Sequence, residues 1–148
     1  MNRHFETPQG RCACNAIAYE VDDGFVAAFN CHCSNCRATT GSAFLPWGEI
    51  EREKLRVTKG AGSLLVIGDP DTYHEVRCEA CLSLLYWTAR DGAYVRVPYG
   101  SLNDEPTLKP TAHMFVGSKG SVASDPRRPP PARRIPVVLM TNTEPRHI

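Results

Sequence analysis

The chain has 148 residues and a formal net charge of +1, and this length suits one domain with one hydrophobic core. The balanced charge excludes a global attraction to nucleic acid or to an anionic membrane. No apolar run reaches the roughly 18 residues that a membrane-spanning helix requires. The first eight residues lack the apolar stretch of a secretory signal, so the sequence predicts a cytoplasmic location.

Short runs of alternating residues predict a mainly β chain with at most short helical turns. The first run places Ile17, Tyr19 and Val21 on one face. Further strands are predicted at Phe25–Phe29, Ser63–Ile67, Thr72–Val76, Ser83–Thr88, Tyr94–Pro98 and Ala112–Val116. Clusters of Gly, Pro, Asp and Asn between these runs are typical of turns. One helical turn is predicted at Ser34–Thr40, with Ser34 as its N-cap and Gly41 as its end.

The composition changes after Ser124, which predicts a domain over residues 1–124 and a tail over residues 125–148. Proline at the density found in the tail favours extended, solvated chain. Nucleic-acid contact through the tail is the less favoured alternative, and it would use Arg127, Arg128, Arg133 and Arg134. The apolar run Ile135–Met140 offers an edge strand within the chain or with a second copy, so a homodimer stays open.

Seven cysteines fall into three tight clusters, and these are the chemically most informative residues. The clusters are Cys12 and Cys14, then Cys31, Cys33 and Cys36, then Cys78 and Cys81. Cysteines separated by one or two residues are poorly placed to bond to each other but well placed to hold one soft cation. The odd number also argues against a disulfide framework. The clusters therefore predict metal binding.

Seven cysteines divide naturally into four and three. Four cysteines, two from each of two turns, complete the tetrahedral sulfur cage that Zn²⁺ favours. Zinc bound at such a site stabilises a small β fold directly. Three sulfurs leave a fourth position open to water or substrate, as in catalytic zinc sites. Two alternatives stay open. In the first, partners are exchanged, so that Cys31 and Cys33 pair with Cys78 and Cys81; in the second, Cys33 is spare and Cys31 and Cys36 are reactive or redox thiols. His32 is a weaker candidate ligand, because an extended chain points it away from both neighbours.

Four motifs follow one another along the chain, and two longer segments come after them. They are Gly10-Arg11-Cys12-Ala13-Cys14, Cys31-His32-Cys33-Ser34-Asn35-Cys36-Arg37, Gly41-Ser42 and Cys78-Glu79-Ala80-Cys81, followed by Gly100–Asp104 and Pro110–Val116. In this order the chain resembles the glutathione-dependent formaldehyde-activating enzyme (GFA) family. The Pro/Arg-rich tail lies outside the resemblance.

The resemblance implies a mainly β, Mss4-like fold of curled antiparallel sheets joined by zinc. It implies two Zn²⁺ per chain: a structural ion on Cys12, Cys14, Cys78 and Cys81, and a catalytic, more labile ion on Cys31, Cys33 and Cys36. The implied activity is that of a carbon–sulfur lyase resembling S-hydroxymethylglutathione synthase. Its partner is a small thiol such as glutathione, which reacts with formaldehyde or a similar small aldehyde. Arg37 and Lys119 are candidates for anchoring the carboxylates of glutathione.

Three positions depart from the family pattern. The family often has glycine after each structural cysteine pair, where this chain has Asn15 and Leu82. Asparagine tolerates the left-handed conformation that such a turn needs, whereas leucine does so poorly. The aromatic residue common after the family's late lysine is absent, because Gly120 follows Lys119. These departures leave the geometry of the second turn and the identity of the thiol open.

A second class of function is a non-catalytic, zinc-ribbon-like module that binds a protein partner. Fold alone does not decide between an enzyme and a binding module. The three-cysteine cluster favours the enzyme, because a structural module needs only one closed site.

Overall fold

The structure, a computed structural model, describes residues 7–123. Within this range the chain forms ten strands and one short helix. They are β1 (Gln9–Arg11), β2 (Ala18–Val21), β3 (Ala27–Cys31), α1 (Ser34–Thr40), β4 (Leu45–Glu51), β5 (Leu55–Lys59), β6 (Leu64–Gly68), β7 (His74–Cys78), β8 (Leu84–Ala89), β9 (Tyr94–Pro98) and β10 (Ala112–Met114). None of the helices in this range has the length and apolar character needed to cross a membrane.

The strands form two sheets. The smaller sheet has the order β1-β2-β5, and the larger has the order β10-β3-β4-β9-β8-β7-β6. All pairs are antiparallel except β10 and β3, which run parallel. The expectation of a mainly β fold with a short helical turn is confirmed, and the parallel pair makes the larger sheet mixed.

Two groups of buried side chains form the core, and both include cysteines. The larger group joins the two sheets, and its members include Ile17, Tyr19, Val21, Ile50, Leu55, Leu85, Val95, Val97, Cys12 and Cys78. The smaller group has Cys31, Leu45, Trp47 and Trp87, with Cys33 and Cys36 packed against it. Burial of one aliphatic side chain contributes about 1.5–3 kcal/mol, so the alternation along β2 fixes which face of that strand meets the core.

Most predicted strands exist, with shifted ends. The strand predicted at Tyr94–Pro98 has those bounds, whereas the one predicted at Phe25–Phe29 occupies Ala27–Cys31. Three strands were not predicted: β1, β4 and β5. Strand β4 was not predicted because it contains Pro46 and Gly48, and proline and glycine are disfavoured inside strands. The structure accommodates Pro46 in β4 because β9 pairs with this strand only from Trp47 onward, which leaves Pro46 paired on one side.

Helix α1 has the predicted range, Ser34–Thr40, but its N-cap lies one residue earlier than predicted. The N-cap is Cys33, whose sulfur accepts a hydrogen bond from the amide of Cys36, and Ser34 is the first helical residue. The predicted end is confirmed, because Gly41 has the left-handed φ of 66° and its amide donates to the carbonyl of Arg37. The Pro/Arg-rich tail and the apolar run Ile135–Met140 lie outside the described residues.

Candidate metal centres

The four cysteines of the first and last clusters meet at the ends of three strands. Cys12 and Cys14 follow β1, Cys78 ends β7, and Cys81 lies in the turn before β8. Their sulfurs all lie within 4.8 Å of one another, with Cys14 at 3.6 Å from Cys12 and 3.8 Å from Cys78. A tetrahedral ion with bonds of ~2.3 Å holds its sulfurs about 3.8 Å apart. The donor set therefore fits zinc.

Both turns of this site use the left-handed conformation. Asn15 has φ 62° and Leu82 has φ 61°. The amide of Asn15 donates to the carbonyl of Cys12 over 3.2 Å, and the amide of Leu82 donates to the carbonyl of Cys78 over 2.8 Å. Leu82 thus adopts the conformation that glycine would take without strain, although leucine does so at a cost.

Backbone and hydroxyl donors surround these sulfurs. The amide of Ile17 donates to the sulfur of Cys12 over 3.2 Å. Burial raises the pKa of Cys81, but hydrogen bonds from the hydroxyl and amide of Ser83 outweigh burial and lower that pKa to about 6. The Ser83 hydroxyl also accepts from the amide of Ala13 over 3.0 Å and so joins the two turns. These donors favour the thiolate of Cys81, the form of cysteine that binds metal. The amide of Ala16 lowers the pKa of Cys14, but the neighbouring sulfurs of Cys12 and Cys81 outweigh it and raise that pKa to about 11.

The three remaining cysteines form a second sulfur cluster. Cys31 ends β3, Cys33 caps α1 and Cys36 lies in its first turn, and their sulfurs lie within 4.8 Å of one another. The structure thus groups the cysteines as four and three, and the exchanged pairing does not occur. His32 is outside both metal-ligand groups found in residues 7–123. Its Nε2 lies 2.8 Å from Nδ1 of His113 on β10.

The electrostatics of the second cluster suit a cation. Burial opposes ionisation of Cys33, yet the amide and thiol of Cys36 donate to its sulfur and lower its pKa. Burial, and then the sulfurs of Cys31 and Cys33, raise the pKa of Cys36 above its ordinary value. Three thiolates this close repel one another unless a cation lies between them. The residues therefore fit a zinc ion with three protein ligands.

Two adjoining cavities lie next to the cysteines, the smaller beside Cys36 and the larger beside Cys81. The smaller, of about 50 Å³, is lined by Cys36, Tyr73, Glu75 and Trp87 among others. The larger, of about 660 Å³, runs from α1 to the turns of the four-cysteine site. Neither cavity is lined by Arg37 or Lys119, the sequence candidates for holding carboxylates.

Arginines that sequence reasoning missed line the larger cavity. They are Arg11 and Arg77. The first stands inside a cysteine motif, so its neighbour Cys12 was a usable signal. The second directly follows the strand predicted at Thr72–Val76, and nothing in the sequence distinguishes it from a surface charge.

Comparison with known proteins adds a family and a fold. A solved structure of a Rhodobacter sphaeroides protein superposes with a TM-score of 0.55 at 24% identity, covering 71% of this chain and 98% of that chain, which supports the fold. No curated protein matches the chain significantly. The model of the glutathione-dependent formaldehyde-activating enzyme family matches residues 7–118. That range includes all seven cysteines, and the chain therefore belongs to the glutathione-dependent formaldehyde-activating enzyme (GFA) family.

Proposed function

We propose that the chain is a zinc-dependent carbon–sulfur lyase that handles adducts of glutathione, or of another thiol, with formaldehyde or a similar small aldehyde. Family membership supports this class of reaction. The observation that carries the proposal is the separation of seven sulfurs into a group of four and a group of three. Four thiolates complete a tetrahedral shell, whereas three leave one ligand position for a substrate.

Cys31, Cys33 and Cys36 are the residues that would hold the catalytic zinc. A zinc ion bound there favours the thiolate form of a substrate thiol and so supplies a nucleophile at neutral pH. The chain itself fixes the three sulfurs: the amide of Cys36 lies 3.3 Å from the sulfur of Cys33, and Cys31 is anchored by the pairing of β3 with β4.

The walls around Cys36 select a small second reactant. Leu45, Leu84 and Trp87 supply an apolar lining to the cavity of about 50 Å³ beside it. A space of this size admits a few molecules as small as water and so suits a one-carbon aldehyde better than a bulky one. We place this reaction in the cytoplasm, where thiols are kept reduced.

The first test is the number of zinc ions per chain, measured by elemental analysis on protein purified without chelator. We expect two in the unaltered protein, and one in Cys36→Ser with the circular dichroism spectrum preserved. A matched Cys81→Ser variant should lose the other ion together with stability. One zinc in both the unaltered protein and Cys36→Ser would contradict the open site and favour the zinc-ribbon-like binding module.

The second test is the rate at which glutathione and formaldehyde interconvert with their adduct. NMR exchange spectroscopy with ¹³C-formaldehyde measures this rate at equilibrium, and the uncatalysed reaction provides the baseline. We expect the unaltered protein to accelerate exchange and Cys36→Ser to return it to the baseline. Equal rates with and without protein would overturn the lyase proposal even if two zinc ions are present.

A further inference from the structure

The larger cavity forms a cleft between the two cysteine clusters. One wall consists of the four-cysteine turns, including Ala13, Cys81 and Ser83, and the other includes Thr39 and Thr40 of α1. Its volume of about 660 Å³ lies in the range of sites for small molecules. A metal ion does not fill a cleft of this size. The residues that line the cleft therefore indicate which small molecule it binds.

The cleft is cationic and rich in hydroxyl groups. Its charged side chains are Arg11 and Arg77, and no aspartate or glutamate lines it. Five hydroxyl side chains accompany them: Thr39, Thr40, Ser42, Ser83 and Ser101. Three of these hydroxyls, those of Thr40, Ser42 and Ser101, already donate to backbone carbonyls of the protein. The guanidinium groups therefore supply the donors that match the oxygen atoms of a carboxylate. This lining favours an anionic ligand.

Arg77 is already engaged with the protein. Its Nε donates to Glu75 over 2.9 Å, and its Nη1 donates to the carbonyl of Leu82 over 3.0 Å. Its Nη2 donates to the side chain of Thr39. Glu75 neutralises the charge, so Arg77 shapes the wall of the cleft and does not offer a free cation.

The guanidinium group of Arg11 keeps two nitrogen atoms available for a ligand. Its Nη1 donates to the carbonyls of Cys12 and Ala13 over 3.2 and 3.4 Å, which holds the side chain in place. Among residues 7–123, no acidic side chain forms an ion pair with Arg11. The planar guanidinium has five donors in a fixed fork, so Nε and Nη2 remain for a carboxylate from outside the protein.

The cleft is continuous with the surroundings of Cys36. Thr39, Leu45 and Leu84 line both the cleft and the small cavity beside that cysteine. Cys36 and Thr39 lie three residues apart on α1 and therefore share one face of the helix. A flexible molecule bound in the cleft by one end can thus extend its other end toward the three-sulfur site.

We propose that the cleft binds the carboxylate-bearing end of the thiol substrate, with Arg11 as the anchoring cation. This inference rests on the proposed function, and it replaces Arg37 and Lys119 as the expected anchors. The substrate class is a small, peptide-like thiol with a free carboxylate, such as glutathione. A neutral thiol such as 2-mercaptoethanol lacks the group that Arg11 recognises.

The test separates this inference from the proposed reaction by measuring binding without turnover. S-methylglutathione keeps both carboxylates but cannot present a thiolate, and its dissociation constant is measured by isothermal titration calorimetry on the zinc-loaded protein. A hydrogen bond to a charged group corresponds to about a tenfold to hundredfold change in affinity. We expect Arg11→Gln to weaken binding by that factor, with zinc content unchanged. The rival variant Arg37→Gln and the charge-matched control Arg56→Gln should stay within about twofold.

Three results would overturn the inference. They are the absence of S-methylglutathione binding to the unaltered protein, equal affinity in Arg11→Gln, and loss of zinc from Arg11→Gln, which would assign Arg11 to neutralising the four thiolates. Kinetics give a second readout: Arg11→Gln should raise KM for glutathione and leave the rate with 2-mercaptoethanol unchanged. Acceleration of neither thiol by the unaltered protein would refute the proposed function, while an Arg11-dependent affinity would still establish the anchor.

Discussion

Leu82 occupies the least favourable backbone conformation in the four-cysteine site. It follows Cys81 directly and has φ 61°, and its side chain is 56% exposed. The left-handed conformation costs a residue with a Cβ roughly 1–2 kcal/mol. The amide of Leu82 donates a hydrogen bond to the carbonyl of Cys78 and closes the turn. The strained conformation of Leu82 thus brings Cys78 and Cys81 together.

Two substitutions separate the backbone strain from the side-chain contacts. Leu82→Ala keeps the Cβ strain and loses side-chain burial, which is worth about 1 kcal/mol for a leucine that is more than half exposed. Leu82→Gly loses the same burial and relieves the strain, but the unfolded chain gains entropy worth about 0.5–1 kcal/mol. We therefore expect the glycine variant to be more stable than the alanine variant by about 0.5–1 kcal/mol.

The assay is thermal unfolding at a fixed excess of zinc, because bound metal contributes to the apparent stability. The predicted difference corresponds to roughly 2–4 °C in Tm. Glu79 lies in the same turn without a positive φ and is the matched control, at which alanine should be the more stable choice. A Leu82→Gly variant that melts below Leu82→Ala would refute the strain argument.

Two further predictions concern single polar contacts. Tyr19 is buried and its hydroxyl lies 2.6 Å from the Ser101 hydroxyl, so Tyr19→Phe should lower the free energy of unfolding in urea by about 1 kcal/mol; an unchanged midpoint contradicts this. Hydrogen bonds from Arg56 hold the pKa of Asp22 below its ordinary value. Their contribution is present above about pH 4 and is lost as pH falls through the lowered pKa. The Tm difference between the unaltered protein and Asp22→Asn should therefore shrink with acidification, and a constant difference would count against the pair.

The candidate metal sites could be predicted from the sequence only where their cysteines are neighbours in the chain. Cys31, Cys33 and Cys36 lie within six residues, so a strand end followed by one helical turn suffices to bring them together. The four-cysteine site depends on the contact between β1 and the turn after β7, which local pattern cannot reveal. Sequence reasoning therefore left the exchanged pairing open until the fold resolved it.

The cleft and strand β4 escaped sequence reasoning for related reasons. Arg11 ends a strand of the smaller sheet and Arg77 lies in the larger sheet, and only tertiary packing places both in one cavity. Glu49 is 2% exposed within β4, where its carboxylate meets Arg90 at 2.6 Å and Arg96 at 2.9 Å. From the sequence alone a glutamate is expected to be exposed. The arginines that permit burial of Glu49 lie more than 40 residues away along the chain.

Hydrogen bonds of Arg77 link the four-cysteine group to the helix that carries Cys36, and this leads to a final prediction. Its side chain is 14% exposed and joins the carbonyl of Leu82, beside the four-cysteine site, to Thr39 on the helix that carries Cys36. Arg77→Met keeps the length of the side chain but leaves Glu75 without its cationic partner, and the carbonyl of Leu82 and the hydroxyl of Thr39 without this donor. Because Glu75 is itself 21% exposed, solvent offsets part of the loss, and we expect a destabilisation of about 2–3 kcal/mol.

Zinc release distinguishes a positioning role of Arg77 from a general loss of stability. If Arg77 positions α1, Arg77→Met should make the three-cysteine site release zinc to a competing chelator more readily, although all seven cysteines remain. Tyr19→Phe, which removes a hydrogen bond to Ser101 and none to α1, serves as the control for lowered stability. A double-mutant cycle with Thr39→Val measures the direct link, and the two substitutions should be less than additive because they remove the same contact. Additive effects, or equal zinc release from Arg77→Met and Tyr19→Phe, would show that the two centres are held independently.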